Sequence, residues 1–550
     1  MSLICCPIAV ESAAEIPLAV ERAARARILG ARMIEWRCDG LASREGAGAA
    51  DAIARLVRES PLPSIVTVRS SDEGGTSTLA ESERLALLAR VAKAADAPRM
   101  IDVEHAALAA DLPRALLAAA LAPRGDDADA PAATKLVASA HDFTGRPIDL
   151  LRRVAAMQDD PLVSIVKLAW MARSIRDNLE AFDLLATRTK PTIALLMGEF
   201  GLMSRVLAPK FGGFLTFASD AEGSGTAPGQ PTARELRDLY RFGAIGPATR
   251  VFGVVGWPVA HSRSPAFHNA RFAEHGYDGV YLPLPVPGEW EHFKASIGAL
   301  VDHERLDFAG ASVTIPHKEH LVRFVRERGG EVDADAAWLG AANTLVVRPL
   351  GTPDAQRLYA TNTDMPAAVE VLSAALATRG RAREDALGRA LAGALEGVRV
   401  AVLGAGGVAR AVAGGLALAG ATVVVFNRTR AKAEALATAL SGRARANGGA
   451  TRVVAGDERD FDCNAPSCER FHAFVNCTPL GMEGGPDPKG SAMPDDAFLD
   501  DSVVVMDTVY APKETPFLRE ARARGAVTVD GEAMFLKQAE LQSELFRARW

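Results

Sequence analysis

"VSIVKLAW", residues 163–170, sets one lysine in a run of otherwise apolar or small residues. Taking an ammonium out of water is costly unless a partner answers it, so Lys167 asks for an explanation. The run has the shortness and β-branched content of a buried strand. Seven others share its texture: "ICCPIAV" (4–10), "MIEWRCD" (33–39), "SIVTVRS" (64–70), "RMIDVE" (99–104), "TKLVASAHD" (134–142), "TIALLMG" (192–198) and "GFLTFAS" (213–219). Ala-, Leu- and Arg-rich stretches of helical character lie between them. Eight strands alternating with helices over about 250 residues specify parallel βαβ units closed into a (β/α)8 TIM barrel. The polar residues of these runs crowd toward their C-terminal ends: Glu35 and Arg37, Arg69, Asp102 and Glu104, His141, Lys167 and Ser219. In a barrel those ends share the face that carries the active site.

The 550 residues exceed one core, and about 150 residues per domain gives two to four domains. With 49% hydrophobic and 24% charged residues and a net charge of -6, nothing favours nucleic acid or an anionic membrane as partner. Small-molecule substrates are expected instead. Six cysteines in a chain this long make no disulfide framework, and none forms a paired zinc pattern, so no metal site is expected. The first residues read as a buried strand rather than a signal peptide, and no apolar stretch reaches the roughly 20 residues of a membrane span. The expected location is the cytoplasm.

After "AEGSGTAPGQPTARELRDLYRFGAIGPATR" the pattern restarts at "VFGVVGWP". The barrel is placed at 1–238 and a substrate subdomain at 248–370, completed by 529–550. A nucleotide-binding subdomain occupies 395–528. Residues 376–396 read as a helical connector or insertion, and 441–469 as an extended loop with at most one strand.

Two constellations carry chemistry. Apolar neighbours and nearby arginines favour the free amine of Lys167, which can attack a ketone and form an iminium, an electron sink that permits elimination. His141, ending the preceding strand, is the acid/base candidate, and Glu73 in "RSSDEGG" can orient it.

Farther on, "VAVLGAGGVAR" (400–410) fits G-x-G-x-x-A through Gly404, Gly406 and Ala409, between a strand and a helix. The next strand, "ATVVVFNRT", ends in Asn427, Arg428 and Thr429 where an NAD enzyme has an acid, so the cofactor expected is NADP, with Arg410 and Lys432 adding positive charge. "SVTIPHK" and "TNTD" offer Lys318 and Asp364, a pair able to pass a proton to or from an alcohol. "GWPVAHSRSPAFHN" offers the hydroxyls of Ser262 and Ser264.

The segments "EWRCD", "TVRSSDEGG", "ASAHDF", "VKLAW", "MGEFGLMSR" and "TAPGQ" resemble, in order and spacing, the type I 3-dehydroquinate dehydratases over nearly all of residues 1–235. That resemblance implies a TIM barrel converting 3-dehydroquinate to 3-dehydroshikimate through a lysine imine. Lys167 would form the imine and His141 move the proton. Arg205 would hold the substrate carboxylate, and Glu35, Arg37, Arg69, Thr226 and Gln230 would bind substrate. Thr226 stands where the family more often has serine, and Ala140 where a larger residue is common.

From about 248 onward the motifs just quoted, with "GAANTL", "NCTPLGM", "DTVYAPKETP" and "GEAMFLKQAELQ", resemble shikimate dehydrogenase. The resemblance implies carboxylate binding by Ser262 and Ser264 and a catalytic pair of Lys318 and Asp364. Thr314, Asn343, Tyr510 and Gln538 would hold the ring. Gly404, Ala405, Gly406, Gly407, Ala409, Asn427, Arg428, Thr429 and Thr478 would hold NADP in a Rossmann domain. Ser312 replaces a usual asparagine and Ala360 a usual glycine. Together the resemblances imply two consecutive shikimate-pathway steps, the product of the first site being the substrate of the second. Competing readings are an aldolase-like imine barrel, a quinate-type dehydrogenase in the second half, and one half serving as a non-catalytic scaffold.

Overall fold

The computed structural model describes residues 2–122, 133–223, 225–349, 357–378, 395–445, 448–461 and 470–548. It falls into two compact units, one of Met1–Gly253, Pro258–Val286 and Ala295–Phe308, the other of Val254–Trp257, Pro287–Lys294 and Ala309–Trp550.

In the first unit eight parallel strands follow the eight runs: β1 (Leu3–Ala9), β2 (Met33–Arg37), β3 (Ser64–Thr67), β4 (Met100–Glu104), β5 (Lys135–Asp142), β6 (Ile165–Met171), β7 (Thr192–Met197) and β8 (Leu215–Phe217). Their order is β7-β6-β5-β4-β3-β2-β1-β8. Phe214 N donates to Thr192 O at 2.8 Å, which draws the start of β8 against β7 and closes the ring.

Side chains alternate across a strand, so counting by twos sorts the barrel interior into layers. The lowest is Cys5, Met33, Ile65, Met100, Val137, Ile165, Ile193 and Leu215, one apolar residue per strand in a single packed cluster. Two positions on come Pro7, Glu35, Thr67, Asp102, Ser139, Lys167, Leu195 and Phe217, and two further on Ala9, Arg37, Arg69, Glu104, His141, Ala169, Met197 and Ser219. The intervening residues, among them Trp36, Val66, Ile101, Leu136, Leu168 and Trp170, are buried too. Burial on both faces is why these strands read as nearly continuous apolar runs.

The rest of this unit carries β9 (Arg250–Gly256), which runs on into the second unit, the helix Ser264–Glu274, and β10 (Gly279–Pro285) beside β9. The buried Lys210 gathers the chain that leaves the barrel, donating to Pro247 O at 2.7 Å, Thr249 O at 2.9 Å and Asp307 Oδ2 at 2.6 Å.

The second unit holds β11 (Phe308–Val313), β12 (Glu331–Val332), β13 (Thr344–Val347) and β14 (Leu358–Thr361). Strand β13 lies antiparallel to both β11 and β14, and β12 parallel to β14. Then come β15 (Arg399–Leu403), β16 (Thr422–Phe426), β17 (Arg452–Ala455), β18 (Ala473–Asn476), β19 (Val504–Asp507) and β20 (Val527–Val529). They are ordered β17-β16-β15-β18-β19-β20, every pair parallel. Numbered from β15 this is 3-2-1-4-5-6, the doubly wound order of dinucleotide-binding sheets, whose switch point lies between β15 and β18. Strand β17 falls within the 441–469 stretch, and most of the 376–396 connector lies outside the described residues. No helix among the described residues is long and apolar enough to cross a membrane.

Candidate active sites

In the barrel, Lys167 Nζ donates to Asp102 Oδ2 at 2.8 Å and Glu35 Oε1 at 3.0 Å, and lies 4.5 Å from the centre of the Phe217 ring. This corrects the expectation of a lysine among apolar groups and arginines. Its neighbours along the strand are apolar, but the barrel brings two carboxylates from β2 and β4 to its head. Lys167, Glu35 and Asp102 also stand in the middle layer, one step below the rim where the sequence reading had gathered them. Burial works against ionising Glu35, but Lys167 and then Arg37 outweigh it and hold the carboxyl below its ordinary value. For Asp102, burial is outweighed by Arg69 and Lys167, and the carboxyl is held far below the usual range.

Above this layer Arg69 donates to Asp102 Oδ1 at 2.8 Å and to Ser139 Oγ at 2.6 Å, and Ser139 Oγ donates to the same Asp102 oxygen at 2.6 Å. Arg69 therefore has its guanidinium in the protein's own network. His141 lies beside Glu73, whose Oε2 is 2.9 Å from His141 Nδ1 and accepts His141 N at 3.1 Å. Burial, then the charges of Arg69 and Lys167, depress the imidazole well below its ordinary value. Burial lifts Glu73 to about 7. A neutral histidine whose Nδ1 side is held by a carboxylate has Nε2 free to accept a proton.

Arg205, in the helix Leu202–Val206, is only 2% exposed. Its Nε has no hydrogen-bond partner among the described residues, and burial alone lowers its guanidinium to about 10. A buried cation that no carboxylate pairs with among the described residues is suited to an anionic ligand. Arg37 reaches Asp39 at 2.7 Å. Thr226 N donates to Gln230 Oε1 at 3.0 Å, while Gln230 Nε2 is buried without a partner among the described residues.

In the second unit Lys318 and Asp364 meet at 2.6 Å, both buried. Each opens a helix, Lys318–Glu327 and Asp364–Ala377. A carboxylate suits a helix N-terminus and a lysine does not, so Asp364 answers both the dipole of its own helix and the lysine of the other. The "TNTD" segment becomes legible atom by atom. Asn362 Oδ1 accepts the backbone N–H of Asp364 at 3.0 Å and of Met365 at 3.2 Å. Thr363 N donates to Asn343 Oδ1 at 2.8 Å, and Asn343 Nδ2 donates to Thr363 Oγ1 at 3.0 Å and Gln538 Oε1 at 3.4 Å. Thr314 is half-buried just after β11, and Tyr510 packs on Phe535 with ring centres 5.0 Å apart. Ser262 and Ser264 belong to the first unit, where Ser264 N donates to Ser262 Oγ at 3.3 Å.

The glycine turn follows β15. Gly404 has φ +116°, and a Cβ there would come within 3.0 Å of the Cys477 carbonyl at the end of β18. A Cβ on Gly406 would meet no atom within 4 Å, and one on Gly407 would press Lys318 at 3.3 Å. The turn thus spans the switch point and reaches the lysine, with the helix Gly407–Leu418 opening from it. Asn427 Nδ2 donates to Thr429 O at 2.9 Å, and Arg428 is exposed with no ion pair among the described residues. Arg410, counted in the sequence toward the phosphate, is instead turned to Glu319 at 3.5 Å and Leu339 O at 3.4 Å. Thr478 is fixed by Asn476 Oδ1, which accepts its N–H at 2.9 Å and its hydroxyl at 2.7 Å.

Three family models match the chain: type I 3-dehydroquinase at 4–247, the shikimate dehydrogenase substrate-binding domain at 254–345, and shikimate/quinate 5-dehydrogenase at 386–448. The bifunctional 3-dehydroquinate dehydratase/shikimate dehydrogenase, chloroplastic, of Arabidopsis thaliana is 35% identical over 99% of this chain and 82% of its own length. This chain belongs to that bifunctional family. The second half alone is similar to the NADP(+) shikimate dehydrogenases of Methanocella arvoryzae, 38% identical over 54% of this chain and 92% of the relative, and Paramagnetospirillum magneticum, 41% identical over 53% and 90%.

The reading of residues left out four that the structure of this bifunctional chain brings into the sites. Asp102 was seen as a strand-end acid but given no role, and Ser139 lies inside the quoted "ASAHDF". Counting back by two from His141 along its strand would have found Ser139, and counting back by two from Glu104 would have set Asp102 one layer below the rim. Asn362 and Gln542 sit within quoted motifs; no local signal marks Gln542, whose partners are about 200 residues away, Asn343 O at 3.0 Å and Thr344 Oγ1 at 2.9 Å.

Proposed function

We propose that the barrel dehydrates 3-dehydroquinate to 3-dehydroshikimate and that the second half reduces this product to shikimate with NADPH. The observation that carries the reading is a buried, hydrogen-bonded lysine in each half, Lys167 and Lys318, each within reach of carboxylates. In the barrel the lysine nitrogen adds to the ketone carbon, and the carbonyl oxygen leaves as water. Ammonium plus ketone becomes iminium plus water, with charge and atoms conserved. His141 Nε2 removes the proton next to the iminium carbon, and the hydroxyl on the following carbon departs as water with that proton returned from His141. Water then adds to the iminium and frees the product and Lys167. Glu73 holds the imidazole, Arg205 the substrate carboxylate, and Glu35, Arg37, Thr226 and Gln230 the rest of the substrate, with Arg69 lining the same site while its guanidinium is engaged by Asp102 and Ser139.

In the second half Ser262 and Ser264 take the carboxylate and Thr314, Asn343, Tyr510 and Gln538 the ring. Lys318, poised by Asp364, gives the carbonyl oxygen its proton. The glycine turn fits a dinucleotide: open space at Gly406, a helix N-terminus behind it, and exposed Arg428 with Asn427 and Thr429 for a 2′-phosphate. Ala405, Gly407, Ala409 and Thr478 line the same turn. NADPH, when bound there, supplies the hydride. We assign 1–238 to the dehydratase, 248–370 with 529–550 to the substrate subdomain and 395–528 to the NADP subdomain. The free thiols Cys5, Cys6, Cys38 and Cys477 support a reducing, cytoplasmic location, which cell fractionation tests.

The deciding experiment offers the purified chain 3-dehydroquinate and NADPH with no other enzyme. Shikimate formation is the expected result. Borohydride added with 3-dehydroquinate should reduce an adduct onto Lys167, and mass spectrometry finding none there would remove the imine mechanism.

A further inference from the structure

Lys167 is held by two carboxylates that are not equivalent. Asp102 is 1% exposed, and its second oxygen is tied down by Arg69 at 2.8 Å and Ser139 at 2.6 Å. Ser139 is in turn held by Arg69 at 2.6 Å. Glu35 offers the lysine the same oxygen that accepts the Thr67 hydroxyl at 2.9 Å, and no other hydrogen bond holds it among the described residues. The ammonium has three N–H donors and can serve both acids. The iminium has one. The cation on nitrogen survives imine formation, so a buried anion is needed before and after the step, but only one of the two acids can keep its hydrogen bond.

We infer that Asp102, braced by Arg69 and Ser139, is the positioning residue that retains the nitrogen throughout, and that Glu35 is released from it as the imine forms and turns to the substrate. This rests on the imine reading of the barrel. The arrangement separates two tasks that one carboxylate could not perform together: a fixed counter-ion that sets the direction of the N–H bond, and a mobile one free to meet a hydroxyl. A braced acid loses little orientational freedom when the step occurs.

The test uses the full-length chain in three forms, unaltered, Asp102→Asn and Glu35→Gln, each treated with borohydride across a range of 3-dehydroquinate concentrations. The mass of the Lys167 peptide is followed, and amounts are normalised to 3-dehydroshikimate reduction by the same preparation. In Asp102→Asn the rate of adduct formation at saturating substrate should fall about tenfold or more, the size of one charge-assisted hydrogen bond. In Glu35→Gln that saturating rate should stay within about twofold, while the half-saturating concentration rises about tenfold, again one such bond. Should Asp102→Asn fail to fold, Ser139→Ala keeps the acid, removes one brace, and should lower the saturating rate without shifting half-saturation. Equal trapping in Asp102→Asn and the unaltered chain, or loss of saturating trapping in Glu35→Gln as large as in Asp102→Asn, overturns the inference. Absence of any Lys167 adduct in the unaltered chain overturns the imine reading instead.

Discussion

Glu73 sets a pH limit on the barrel. Its carboxyl titrates at about 7 because it is buried, and the ionised form is the stronger acceptor for the backbone N–H and Nδ1–H of His141, both of which meet Oε2, and the form that steadies the imidazolium when His141 takes the proton. The dehydratase kcat/KM should therefore fall as pH drops through about 7, while the imidazole, depressed by burial, stays neutral across that range. Glu73→Gln should lose this acidic limb and about 100-fold in rate, which a kcat/KM profile from pH 5 to 9 reads directly. At this scale the sequence singled out Lys167 because it breaks an apolar run and His141 because it ends the preceding strand, while Glu73, in a polar loop, was offered only as a group able to orient that histidine. What surrounds Lys167 was not legible, since Glu35 and Asp102 lie 132 and 65 residues away in sequence. Only the closing of eight strands puts them at its head, and so a lysine that reads as apolar-lined is in fact ion-paired.

Elements were more legible than contacts. Each of the eight barrel strands falls on an apolar run, because strands buried on both faces leave that mark, and the glycine turn announces its strand and helix through the residue types a tight approach to phosphate requires. Gly404→Ala tests that turn: with φ +116° and the Cys477 carbonyl 3.0 Å from the new methyl, the strain should cost about 1–3 kcal/mol. A fluorescence titration should show weaker NADPH binding by the corresponding factor. The helix Gly531–Arg547 was expected to complete the substrate subdomain, and how its side chains reach their partners was hidden. Gln542 accepts the Ser312 hydroxyl at 2.7 Å and donates to Asn343 O and Thr344 Oγ1. The serine that stands where the family usually has asparagine is thus spoken for by the protein itself. Gln542→Ala leaves buried partners unmet, at about 1–3 kcal/mol, and should raise KM for 3-dehydroshikimate more than it lowers kcat.

For the molecule as a whole, the reactive groups of the two reactions sit on different lysines, so each can be silenced alone. Lys167→Ala should still reduce supplied 3-dehydroshikimate at the parent rate while making no shikimate from 3-dehydroquinate. Lys318→Ala should accumulate 3-dehydroshikimate and still bind NADPH, with reduction down about 100-fold or more. Product analysis by chromatography separates the outcomes, and loss of both activities in either variant would mean the halves do not act independently.

The two halves also differ in when they can begin to work. Every barrel strand and every proposed dehydratase residue precedes position 231 in the chain, and domains fold as units during synthesis, N-terminal first. The proposed ring site instead waits for a helix that begins at Gly531, because Asn343 donates to Gln538 and accepts from Gln542 on that helix. A nascent chain that has emerged past Phe308 should thus dehydrate before it can reduce, and a ribosome stalled between there and Gly531 should release 3-dehydroshikimate that its own chain cannot consume.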